Sequence, residues 1–135
     1  MIKIVAIILA LLGVTLYFLK LNAPEAKEWL KENKNKYALA GNRFAGTEDA
    51  IKFVEKLYEL GAVKVVISKD SIYDEKERVE KEGGPYADAI VVTLPNSESE
   101  RTALFKIFKN EANSQGMEFD PSTDVRNNKV FIWWD

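Results

Sequence analysis

Hydrophobic and polar positions divide the 135-residue chain into one continuous oily run followed by short alternating blocks. From Ile4 to Leu19 there is no charge, and Lys3 and Lys20 bracket the run. Eleven of those sixteen residues are Leu, Ile, Val or Phe, which sum to about −3 to −7 kcal/mol on an insertion scale. Met1, Ile2 and snorkelling of the two lysines extend the run towards the ~20 residues that a hydrocarbon core requires. Every face of the run is apolar, unlike a half-buried core helix. The pattern predicts a transmembrane helix over residues 1–20. A signal-peptide cut wants small residues at −3 and −1. A cut after Ala23 would place Leu21 at −3 and Pro24 beyond it, and a cut after Ala26 would place Pro24 at −3. The leader therefore reads as an uncleaved single-pass anchor that contacts membrane lipid.

Two signals disagree on orientation. Lys20, Lys27, Lys31, Lys34 and Lys36 follow the run and only Lys3 precedes it, so a strict positive count puts the folded part in the cytoplasm. The Met-x-Lys-apolar opening resembles an export signal, and a Cys-free domain suits an extracytoplasmic space. The extracytoplasmic side is the expectation adopted.

Residues 21–36 read as a short helix (23–33, with Pro24 in its first turn) and a linker. Beyond them the pattern alternates. Tyr37 to Phe44 is a weak first strand. Thr47 can cap a helix running to Leu60, with Glu48 and Asp49 at its positive end and Gly61 as its stop. Val63 to Ser68 is a β-branched strand, and Asp70 to Tyr86 a charged connection containing DEKERVEKE, which reads as a solvated helix or loop. Asp88 to Leu94 is the next strand. Ser97 and Glu100 form an S-x-x-E capping box for a helix buried through Leu104, Ile107, Phe108 and Ala112, with Gly116 as its stop. Lys129 to Trp134 is the last strand.

The order β-α-β-β-α-β over residues 37–135 predicts an α+β, ferredoxin-like domain. It would have two helices on one face of a four-stranded antiparallel sheet. Period-2 alternation sends Val63, Val65, Ile67, Ile90, Val92, Leu94, Val130, Ile132 and Trp134 towards the helices. Lys64, Val66, Ser68, Ala89, Val91, Thr93, Phe131 and Trp133 go to the other face. That second face is too apolar to be bare. Its candidate covers are the 23–33 helix folding back through Trp29, or a partner protein or second copy of the chain. Phe131 and Trp133 are the candidate contact residues, with Arg43 and Asp88 as polar candidates.

Composition narrows the chemistry. The chain has no Cys and no His, which removes thiolate nucleophiles, Cys-zinc sites and every dyad that needs an imidazole base. Without Lys3 and Lys20 the basic count falls from 19 to 17 against 21 acidic residues. The folded part is therefore acidic, and no nucleic-acid partner is expected. Glu118, Asp120 and Asp124 share one loop but lack the Gly and closing Glu of a calcium loop. No Gly-rich phosphate loop exists, and Arg43 and Arg101 could each pair with an acid or grip an anionic ligand. No cofactor, metal or catalytic group is expected.

The stretch NRFAGTEDAIKFVEKLYELGAVKVVI resembles the first half of SPOR domains: an aromatic, small residues, an Ala-containing helix, Gly and a strand. The layout of anchor, spacer and βαββαβ domain is similar too. The resemblance covers about a fifth of the chain, and Leu94-Pro95-Asn96 stands where that family repeats a Gly-Pro-Phe turn. It implies peptidoglycan binding as an alternative function. The reading from the residues is a membrane-anchored, non-catalytic protein-interaction module. An acidic membrane-held inhibitor of immunity-protein type and, least favoured, a small carboxylate enzyme complete the alternatives.

Overall fold

The computed structural model describes residues 23–120, 124 and 126–134. The expected anchor over residues 1–20 lies outside them. Among the described residues, no helix is long and apolar enough to cross a membrane. The chain runs α1 (Ala26–Glu32), α2 (Thr47–Glu59), β1 (Lys64–Ile67), a 3₁₀ turn (Lys69–Ser71) and β2 (Ile72–Tyr73). It continues through α3 (Lys76–Glu82), β3 (Tyr86–Ala87), β4 (Ala89–Thr93), α4 (Glu98–Ser114) and β5 (Lys129–Trp133). It is an α+β fold with antiparallel sheets of three strands, ordered β1-β4-β5, and two strands, β2-β3.

Two features depart from a ferredoxin-like sheet. The strand expected over 37–44 reduces to a single parallel bridge between Leu39 and Ala87. Ala40 takes a left-handed conformation (φ 42°), and its carbonyl accepts from the N–H groups of Arg43 and Phe44. A non-glycine residue there ends an extended run. Second, β4 and β5 flank α4 yet lie side by side and antiparallel, with Val91 opposite Phe131 and Ala89 opposite Trp133. A βαβ unit requires its two strands to run parallel, so α4 is an excursion between antiparallel neighbours.

Alternation sorts the sheet faces as expected. Val65, Ile67, Ile90, Val92, Leu94, Ile132 and Trp134 are buried in one core with Val54 and Leu57 of α2 and Leu104 and Phe108 of α4. Val63 is the exception, exposed because it precedes β1, although its N–H still bonds Thr93 O. Phe44, Phe53 and Trp134 meet edge-on or tilted, with centroids 5.2 to 5.9 Å apart, a geometry that ring quadrupoles favour.

Residues 23–36 are part of this unit. Ala26 and Leu30 are buried in the same core. Pro24 lies before the helix, not in its first turn, and its carbonyl accepts from Ile67 N–H at 2.9 Å. Glu25 pairs with Val66, so the incoming chain covers the free edge of β1. Glu25 also caps α1, accepting from the N–H groups of Lys27 and Glu28. Thr47 opens α2 without capping it. Its hydroxyl donates to Asn35 O at 2.6 Å and accepts from Ala38 N–H at 2.9 Å. Gly61 takes φ 111° after α2, and Ser97 caps α4 through Glu100 N–H. The charged run forms α3, a helix with no buried residue.

Candidate functional site

The open face of the three-stranded sheet has three cross-strand rows. Lys64, Thr93 and Lys129 form the first, and Val66, Val91 and Phe131 the second. Ser68, Ala89 and Trp133 form the third, Ser68 joining through its N–H to Ala89 O. Phe131 is 60% exposed and Trp133 49% exposed, although both sit in a regular strand paired along its length with β4. Trp29 packs against the core instead, so α1 does not cover these two rings.

At the third row the face dips into a shallow cleft of about 240 Å³, lined by Asp70, Tyr73, Asp88, Ala89, Phe131 and Trp133. Asp88 bridges β3 and β4, and its carbonyl accepts from Trp134 N–H at 3.0 Å. That bond fixes the end of β5 and aims Trp133 outwards. Tyr73 Oη approaches Asp88 Oδ2 at 3.5 Å, at the limit of a hydrogen bond. Ser71 Oγ donates to Ser68 O at 2.8 Å and holds the 3₁₀ turn that presents Asp70. Rings beside two carboxylates suit a cationic or hydrogen-bond-donating group.

Phe131, Trp133 and Asp88 thus come together, and Arg43 does not join them. Its Nε and Nη2 donate to the two oxygens of Glu111 at 2.8 and 2.7 Å. Its guanidinium covers the Phe44 and Phe53 rings at 4.7 and 5.6 Å. The hydrogen bonds to Glu111 hold Arg43 above the usual arginine range against the opposing effect of burial. Arg43 belongs to the helix side of the sheet, where it ties the 41–44 turn to α4.

Two further networks carry structure. Arg101, only 5% exposed, donates to Asp124 through Nε (2.7 Å) and Nη2 (2.6 Å) and to Pro95 O through Nη1 at 3.1 Å. The bond from Arg101 pulls the Asp124 carboxyl down to about 2. Tyr58 Oη donates to Glu25 Oε1 at 2.7 Å and accepts from Val65 N–H at 3.0 Å. Burial pushes Glu25 up, but the bonds from Glu28 N–H, Tyr58 and Lys27 N–H outweigh it and leave the carboxyl lowered. Among the described residues no group of three or more acidic side chains could hold a metal ion.

A second groove, about 620 Å³, runs between the 34–37 segment and α3, where Lys34, Lys36, Arg78 and Lys81 line it together with Glu80 and Glu82. Its wall is built by amides. Asn33 Nδ2 donates to Pro85 O, Asn35 Nδ2 to Gly84 O, and Asn35 Oδ1 accepts from Tyr37 N–H. A Cβ on Gly84 would lie 2.1 Å from Asn33 Oδ1, so that close approach requires glycine. Arg78 stacks over Tyr73 and Tyr86 at 5.0 and 4.8 Å and pairs with Glu82 at 3.1 Å.

Asp70 and Tyr73 entered the cleft without a sequence signal, because the turn that carries them reads only as a charged connection. No family model, curated protein or solved structure matches the chain.

Proposed function

We propose that the protein is a non-catalytic binding module, tethered to a membrane by residues 1–20, whose contact surface is the open face of the three-stranded sheet. The observation that carries this reading is the exposure of Phe131 and Trp133 in an ordered strand beside an acidic cleft. Large rings are retained at such positions where another surface removes them from water, since each buries 150–250 Å² when covered. The uncharged run Ile4–Leu19 supports the tether. The chain enters the fold at the β1 edge through Pro24, leaving β5, with its two rings, at the opposite edge of the sheet.

The test uses the full chain expressed in cells. Alkaline carbonate should leave it in the membrane fraction, and its release would overturn the tether. Lysine-reactive cross-linking in those membranes should trap a discrete higher-mass adduct. A Phe131→Ser/Trp133→Ser variant should lose that adduct while keeping its thermal unfolding midpoint. An adduct of equal yield in the folded variant would overturn the contact surface.

A further inference from the structure

We infer that the occupant of the open sheet face is a second copy of this chain, packed face to face with its strands antiparallel to the first. This rests on the contact surface proposed above and adds its partner and geometry. The face is dipolar along the strands. Lys64 and Lys129 flank Thr93 at one end, and Asp70 and Asp88 line the cleft at the other. The apolar row Val66, Val91 and Phe131 lies between them. Lys69, the neighbour of Asp70, is not among the cleft's lining residues.

A closed dimer needs one surface that complements itself. Of the in-plane two-fold axes that bring this face onto itself, two align the strands of the copies, one along the strands and one across them. An axis along the strands would set Lys64 and Lys129 against the same lysines of the other copy, and like charges directly opposed are destabilising. An axis across the strands passes through the middle row and exchanges the two ends. Phe131 then meets Phe131, Val91 meets Val91, and each lysine row lies over the other copy's cleft. Lys129 falls over Trp133, a cation above an indole face, and Lys64 reaches towards Ser68 and Asp70. Lysine stems span the ~10 Å between packed sheets. The charge pattern therefore selects one of the two arrangements. The face is three strands wide and about five residues long, smaller than the ~800 Å² per partner of a strong interface. The dimer is weak in dilute solution and gains from the effective concentration of a shared membrane surface.

The absence of native Cys makes single cysteines clean reporters. In membranes carrying the full chain, Val91→Cys and Phe131→Cys should each form a covalent dimer with a short bis-maleimide whose span matches the ~10 Å between packed sheets, a gap too wide for a direct disulfide. Lys106→Cys, on the exposed side of α4, should not. Lys129→Cys and Trp133→Cys should each stay monomeric alone and cross-link when co-expressed, in at least tenfold higher yield than either alone. Residues 91 and 131 that stay monomeric while reacting freely with maleimide would overturn the inference. So would Lys129→Cys linking to itself as readily as to Trp133→Cys. Thermal unfolding of each variant checks that it folds. A p-benzoylphenylalanine probe at position 131 separates the two levels of the argument. An adduct of twice the chain mass supports the second copy. An adduct only with a different protein overturns the second copy and leaves the contact surface standing, and no adduct overturns both.

Discussion

The indole N–H of Trp134 donates to Glu111 Oε2 at 3.0 Å, and the same carboxylate receives both donors of Arg43. One acid on α4 thereby satisfies the last residue of the core and the turn after Ala40. Glu111 is 5% exposed and the Arg43 side chain 34% exposed, so water shares the arginine's charge but not the indole's proton. Glu111→Ala leaves a buried donor unpaired and an arginine without its acid. It should cost about 2–4 kcal/mol of unfolding free energy. Arg43→Ala removes the solvent-accessible partner only and should cost less. Urea unfolding of both variants and of the double mutant checks the order and the coupling.

The Arg101–Asp124 pair contributes to the acid limb of stability. Asp124 is lowered to about 2 by the hydrogen bond from Arg101, so the folded state binds its proton less tightly than the unfolded chain. A group shifted in this direction stabilises the fold above its unfolded value near 3.8 and loses that contribution as pH falls towards about 2. Melting temperature followed from pH 5 to pH 2 should fall less steeply in Asp124→Asn than in the native chain. Parallel curves would remove Asp124 from the acid transition.

Much of the fold was legible in the residues and one level of it was not. Period-2 alternation placed Ile90, Val92, Ile132 and Trp134 inside and Phe131 and Trp133 outside, because a pleated strand turns successive side chains to opposite faces. Periodicity says nothing about which strand pairs with which. Hence 37–44 read as the first of four strands where Ala40 turns the chain, and β5 took its place beside β4. Buried charge was legible only in part: Arg43 and Arg101 could be expected to pair with an acid, but not with which one. Arg101 and Glu111 lie on the buried stripe of α4, where their hydrogen-bond partners come from Asp124, Arg43 and Trp134, far away in sequence. For the same reason Phe131, Trp133 and Asp88 could be grouped in advance, whereas Asp70 and Tyr73 could not.

Gly61 ends α2 at φ 111°, and a Cβ there would lie 2.0 Å from Glu100 Oε2. The backbone angle and the crowding are separable. Glu100 is exposed and its side chain can move, while the angle is fixed by the turn into β1. Gly61→Ala should cost about 1–2 kcal/mol. Adding Glu100→Ala should recover only a minor part of it. Full recovery in chemical denaturation of the double variant would assign the cost to crowding instead.

Adjacent tryptophans on β5 give the most direct contrast between core and surface. Trp134 is 2% exposed, inside the Phe44–Phe53 cluster and bonded to Glu111. Trp133 is 49% exposed beside the cleft. Trp134→Ala opens a cavity and strands a carboxylate contact, and should cost about 3–5 kcal/mol. Trp133→Ala removes a ring already half in water, so it should cost under about 1 kcal/mol in the isolated chain. It should nevertheless lower the yield of the membrane cross-link that position 131 reports. Equilibrium unfolding and cross-linking yield measured on the same two variants test this. A large stability loss on Trp133→Ala would mean that the ring is a structural element of the fold and not a surface held for a partner.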